Sequence, residues 1–61
     1  MTQDDLETVY EALAQTIDGV AAEARELFLA KLALALADTL GDAARALAVI
    51  AECATGLDRA A

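Results

Sequence analysis

Residues Glu26–Leu40 read ELFLAKLALALADTL, and this apolar run decides how the rest of the chain must fold. On a helix that turns about 100° per residue, its large side chains divide between two opposite faces. The wider face spans about 120° of arc, which is typical of a surface that packs on a core. It consists of Phe28, Leu29, Leu32, Leu36 and Leu40. Leu27 and Leu34 lie on the far side, so this helix needs cover on both sides.

The same run fits neither a β-strand nor a membrane span. Its leucines alternate with alanine, which favours helices and is depleted in strands. Its uninterrupted apolar part is about half as long as a bilayer requires, and Lys31 lies inside it. The run is therefore interpreted as a buried helix of a protein that does not cross a membrane.

The residues on either side of the run predict two further helices within a single domain, 1–61. We expect helices at about 3–18, 21–40 and 43–55. Thr2 or Asp4 is placed to cap the first helix and Asp42 to cap the third. Gly19 fits the left-handed position that often follows a helix end, and Gly41 is expected to stop the second helix. The predicted fold is an all-α three-helix unit, either up-down-up or a helical hairpin plus a shorter third helix, with a frayed tail up to residue 61.

The two outer helices each carry one predicted apolar face. Spacings of three and four define the first, which consists of Leu6, Val9, Tyr10, Leu13 and Ile17. The face of the third helix is expected to consist of Leu47, Ile50, Ala51 and Ala54. Arg45, Val49 and Glu52 are expected to point elsewhere.

Length and composition indicate that such a domain is short of internal support. A folded chain of 6.3 kDa is expected to expose about 3,700 Å². Cys53 is the only cysteine and there is no histidine, so neither an intramolecular disulfide nor a structural zinc site can be built. Association remains as the usual support of a small domain. The free thiol and the absence of a signal-peptide pattern favour the cytoplasm.

The composition also excludes several classes of function. A net charge of −7 with only four Lys and Arg residues cannot provide the basic patch that nucleic acids require. The chain has no His, Ser, Asn or Trp, and Cys53 stands beside Glu52, an unfavourable setting for a thiolate nucleophile. The sequence therefore predicts no catalytic residue, no cofactor and no metal site.

The second apolar face of the central helix is the main candidate for an interface. We expect Leu27, Lys31, Leu34 and Asp38 to form it, with the leucines supplying buried area and the charges setting the register. In an antiparallel pair of copies centred between positions 34 and 35, Lys31 of one chain would meet Asp38 of the other. The alternative is that the third helix covers Leu27 or Leu34 within one chain.

The stretch from Tyr10 to Asp42 resembles a small bacterial family of unknown function. The resemblance rests on Tyr10-Glu11-Ala12-Leu13, on Gly19, on Ala30-Lys31-Leu32 and on Leu34 through Gly41-Asp42, against a pattern that reads YEAL, a glycine and NARL-x-LLLAN-x-IGD. The chain departs from that pattern at Ile17, Ala21, Leu29, Lys31, Asp38 and Thr39. Genes of that family tend to lie beside flavin-dependent aromatic hydroxylases or related catabolic enzymes, so the resemblance implies an accessory or interacting protein.

Three functions are consistent with these features. The first is a non-catalytic helical interaction protein that binds itself, most simply as a homodimer, or docks on a larger enzyme such as a flavin-dependent hydroxylase. The second is an acidic regulatory or inhibitor-like protein that masks a basic target. The third is a minor enzyme subunit that donates a carboxylate to a shared active site.

Overall fold

A computed structural model of the chain describes residues 1–57, and in that range it consists of three α-helices without a strand. Helix α1 spans Gln3–Gly19, a short 3₁₀ turn spans Ala22–Ala24, α2 spans Arg25–Leu40 and α3 spans Ala43–Ala54. The predicted all-α three-helix unit is confirmed. The frayed tail predicted up to residue 61 lies largely outside the described residues.

Local capping explains where α1 begins and where α2 gives way to α3. Thr2 and Asp5 form a reciprocal capping box, in which the Asp5 amide donates to Thr2 Oγ1 at 3.1 Å. Gly41 ends α2 with a φ of 70°, a left-handed conformation that glycine adopts without steric cost. Asp42 then caps α3 by accepting a hydrogen bond from the Arg45 amide at 3.1 Å.

The prediction that Gly19 occupies a left-handed position was wrong. Gly19 is the last residue of α1, and the positive-φ glycines of the described chain are Gly41 and Gly56. The chain leaves α1 through Val20, whose backbone is extended, with φ −88° and ψ 138°. The Val20 carbonyl accepts a hydrogen bond from Arg25 Nε at 3.1 Å. A side chain at the start of α2 therefore supplies the hydrogen-bond partner of this carbonyl in the turn.

The three helices do not close around a core. No residue in the range 1–57 is buried, and the chain exposes 5560 Å² where about 3,700 Å² is expected for its mass. The Cα radius of gyration is 13.3 Å, against about 10.5 Å for a compact chain of this length. The shortage of internal cover that the composition predicts is therefore present in the fold.

Helices α1 and α2 diverge from each other instead of packing side by side. Within residues 1–57, no two Cα atoms twelve or more positions apart come within 8 Å. Packed helices have axes about 8–10 Å apart, with Cα atoms about 2.3 Å from each axis, so facing Cα atoms would lie closer than that. The turn between the helices is the best covered part, where Leu13, Ile17, Val20, Phe28 and Leu32 are half-buried. The fold is an open frame whose apolar interior is left partly accessible.

Candidate docking surface

Two apolar depressions that share Leu36 lie between the helices of this frame, and together we call them the groove. Its first half lies between α1 and α2 and is built on the two half-buried side chains Phe28 and Leu32 of α2. The residues that line this half are Val9, Ala12, Leu13, Thr16, Phe28, Leu32 and Leu36. Two members of the apolar face predicted for α1, Val9 and Leu13, line this half of the groove. Tyr10 and Ile17 of the same predicted face border a separate depression beside Asp18.

The second half of the groove lies between α2 and α3, where the Gly41-Asp42 turn brings the two helices together. Its lining consists of Leu36, Ala37, Leu40, Ala46, Val49 and Ile50. Leu36 borders both halves, so the two depressions meet at this side chain. The groove therefore extends from α1 to α3 with Leu36 at its middle.

The lining of the groove carries no charged side chain. Thr16 is its one residue with a polar side chain, and the Thr16 hydroxyl donates to the Ala12 carbonyl at 2.8 Å. That hydrogen bond occupies the hydroxyl within α1 and leaves the methyl group for apolar contact. Because recognition of ions and polar ligands relies on placed polar groups, the groove is suited to hydrophobic side chains.

Large apolar side chains along the groove remain open to solvent. Leu36 is 60% exposed and Ile50 is 63% exposed, while Val9 and Val49 are each about half exposed. Single exposed leucines are ordinary on protein surfaces, but contiguous apolar patches mark sites of association. The convergence of three helices on one uncharged groove makes it the candidate docking surface.

The apolar face predicted for α3 was partly wrong. The predicted face included Leu47 and Ile50 and placed Val49 elsewhere, whereas Val49 lines the groove beside Ile50 and Ala46. Leu47 instead borders a shallow surface depression near Asp38 and Asp42. The spacing of Ala46, Val49 and Ile50 carries a signal for this face, but the many alanines of α3 give little contrast around the helix.

The predicted interface residues lie on the side of α2 that faces away from the groove, and we call them the back face. The back face consists of Leu27, Lys31, Leu34 and Asp38, all of them exposed. Leu27 is 64% exposed and Leu34 is 73% exposed. The alternative in which α3 covers one of these leucines within the chain was therefore wrong.

Residues 1–57 contain neither a cluster of metal ligands nor a membrane-spanning helix. In this range, no three or more of the Cys, Asp and Glu side chains lie together in a way that would hold a metal ion. Cys53 is exposed on α3. None of the helices within the described range is both long and apolar enough to cross a membrane.

Comparison with known proteins adds no relative. The chain matches no protein-family model, no curated protein and no solved structure. The resemblance of residues 10–42 to a bacterial family therefore stays a prediction.

Proposed function

We propose that this chain is a non-catalytic helical interaction protein whose groove docks on another polypeptide. The observation that carries the proposal is the absence of any buried residue in the range 1–57, beside an uncharged groove formed by three helices. Since burial of apolar area is the main favourable term in folding and in association, a surface of this kind supports a function in binding.

The area of the chain indicates how much cover a partner would supply. One chain exposes 5560 Å², roughly 1,900 Å² more than a compact protein of its mass. Specific interfaces bury roughly 800 Å² on each partner and obligate ones considerably more. The excess is large enough for a permanent complex, so the chain as a whole is better suited to a lasting partner than to a transient encounter.

Two kinds of partner fit this proposal. One is the chain itself, most simply as a homodimer. The other is a larger enzyme, and the resemblance of residues 10–42 points to flavin-dependent aromatic hydroxylases. In either case we place the protein in the cytoplasm, where its free Cys53 would stay reduced.

An acidic regulator that masks a basic target is the alternative, and the net charge of −7 favours it. The groove lining contains no carboxylate to pair with a basic surface. Such a regulator would have to use the exposed acids elsewhere on the surface, and these contribute little once salt screens them.

Affinity purification of the tagged chain from its native cells tests the proposal. We choose two variants for the comparison, Leu36→Asp in the groove and Leu34→Asp on the back face, because both leucines are exposed on the same helix. A partner that is recovered with the wild type and with the Leu34 variant, but lost with the Leu36 variant, supports docking through the groove. A flavoprotein partner identifies an accessory subunit, whereas a basic nuclease or transcription factor retained by the Leu36 variant favours the acidic regulator.

A further inference from the structure

We infer that the occupant of the groove is a second copy of this chain, related to the first by a two-fold axis that passes near Leu36. This inference rests on the proposed function, because it names the partner of the same surface. Three observations on the structure carry it: the area that remains to be buried, the distribution of charge and the arrangement of the two halves of the groove.

The exposed area matches what an obligate dimer buries. Two separate chains expose about 11,100 Å², twice the 5560 Å² of one chain, whereas a compact globule of their combined mass exposes about 6,200 Å². The difference of about 4,900 Å² lies within the roughly 2,000–5,000 Å² that obligate homodimers bury. A dimer that buries this area has the surface of an ordinary folded protein of its mass.

The distribution of charge favours a copy over a basic partner. Each chain carries a net charge of −7, so two copies approach without strong repulsion only where acids are absent. The groove meets this condition, since no charged side chain lines it. In a complex with a basic partner the groove would offer no carboxylate, and each buried cation would lack a counter-charge.

The two halves of the groove suit a symmetric pairing. In a two-fold interface each surface patch meets its own copy or exchanges contacts with a second patch. The half between α1 and α2 holds the partly sheltered Phe28 and Leu32, and the half between α2 and α3 presents Val49 and Ile50, which are 48% and 63% exposed. With Leu36 on the axis, the α3 edge of each chain covers the α1–α2 half of the other.

This arrangement assigns opposite roles to two leucines of α2. Leu36 would lie against its own counterpart in the centre of the dimer, where two introduced carboxylates would face each other without water. Leu34, two positions away on the back face, would stay in solvent. Because Leu36 is 60% exposed and Leu34 is 73% exposed in the single chain, the same substitution at either position disturbs the fold of one chain little.

The test is the molar mass of the purified full chain in solution, measured by sedimentation equilibrium for the wild type, Leu36→Asp and Leu34→Asp. We expect twice the chain mass for the wild type and for the Leu34 variant, and the single-chain mass for the Leu36 variant. A dimer that Leu36→Asp leaves intact and Leu34→Asp dissociates would overturn the inference in favour of the back face. An assembly larger than two chains would overturn the closed two-fold arrangement.

Two further measurements separate this inference from the proposed function. If Leu36→Asp loses its helical circular dichroism, Leu36→Ala replaces it in the experiment. We expect Leu36→Ala to weaken self-association by at least about tenfold. An unchanged affinity between the copies would count against the inference. If the wild type instead has the mass of one chain, its amide hydrogen exchange is measured. If the α2 amides of this monomer are unprotected, only the inference that the partner is a second copy is overturned. If they are strongly protected, the chain closes its apolar interior alone, and the proposed function is overturned as well.

Discussion

The groove and the back face lie on opposite sides of the same helix, and they differ in what surrounds their leucines. The groove collects apolar side chains from α1, α2 and α3 around Leu36, without a charge in its lining. The back face offers Leu27 and Leu34 from α2 alone, beside the exposed charges of Lys31 and Asp38. Convergence of several helices creates a contiguous apolar area that a partner can bury, and apolar residues on a single helix create less of it. This difference is the reason for proposing the groove as the docking surface.

Adjacent residues of α2 provide the largest expected contrast between the two surfaces. Phe28 is half-buried in the groove, whereas Leu27 is 64% exposed on the back face. We expect Phe28→Ala to lower the free energy of unfolding by about 2–3 kcal/mol, since it removes a large side chain from a groove that the proposed second copy covers. Leu27→Ala should change it by less than about 0.5 kcal/mol. Urea unfolding followed by circular dichroism measures both.

The proposed difference between the groove and the back face is contradicted if Phe28→Ala and Leu27→Ala lower the free energy of unfolding equally. A loss of more than about 1.5 kcal/mol in the Leu27 variant would place the back face in a buried interface, because only a covered leucine loses that much on truncation. A Phe28 variant as stable as the wild type would show that the groove stays open to water.

A second contrast concerns the two glycines expected to end helices. It tests whether the turn at Gly41 positions α3 beside α2, where the second half of the groove lies. Gly41 has a φ of 70°, and Gly19 lies at the end of α1 without a positive φ. We expect Gly41→Ala to cost about 1–2 kcal/mol, because a Cβ is strained in the left-handed conformation. Gly19→Ala should be neutral or stabilising by up to about 0.5 kcal/mol, since nothing lies within 4 Å of its added Cβ.

Thermal unfolding of the two glycine variants measures this contrast. A Gly19 variant destabilised as much as the Gly41 variant would restore the left-handed conformation that the sequence pattern predicts at position 19. A harmless Gly41→Ala substitution would contradict the turn that brings α2 and α3 together.

The smallest expected effect concerns the charges of the back face. If copies paired there in the antiparallel register, Lys31→Asp would weaken association and the added Asp38→Lys would restore it. If the groove is the interface, the free energy of association of both variants should differ from that of the wild type by less than about 0.5 kcal/mol, as expected for exposed charges. Sedimentation equilibrium of the single and double variants checks this, and rescue by the second substitution would move the interface to the back face.

Sequence patterns predicted the helices of this chain well where a local interaction defines a boundary. Asp42 was expected as a cap and Thr2 was one of two candidates, and each accepts a hydrogen bond from a backbone amide of the helix it begins. Gly41 was expected as a stop for the same kind of reason. At Gly19 the pattern failed, because the chain turns through extended Val20 and Arg25 reaches back to the Val20 carbonyl. That hydrogen bond joins two elements, and the spacing of residues within one element cannot predict it.

The groove was harder to predict than the helices. Periodicity identified the wide stripe of α2, including Leu36, but it treated this stripe as a closed core, and the interface that it placed at Leu27 and Leu34 stays a prediction. The spacing of residues along one helix does not state how far a neighbouring helix lies from it, and here α1 diverges. In α3 the alanines surround the helix, so the pattern did not show that Val49 faces α2.

The central claim is that one chain alone cannot close its apolar interior, and the concentration dependence of its unfolding tests this most directly. We would follow the far-UV circular dichroism of the wild-type chain during heating, over about a hundredfold range of concentration, because association makes the midpoint depend on concentration. We expect a midpoint that rises steadily as the chain becomes more concentrated. A sharp transition at one fixed temperature throughout that range would contradict it.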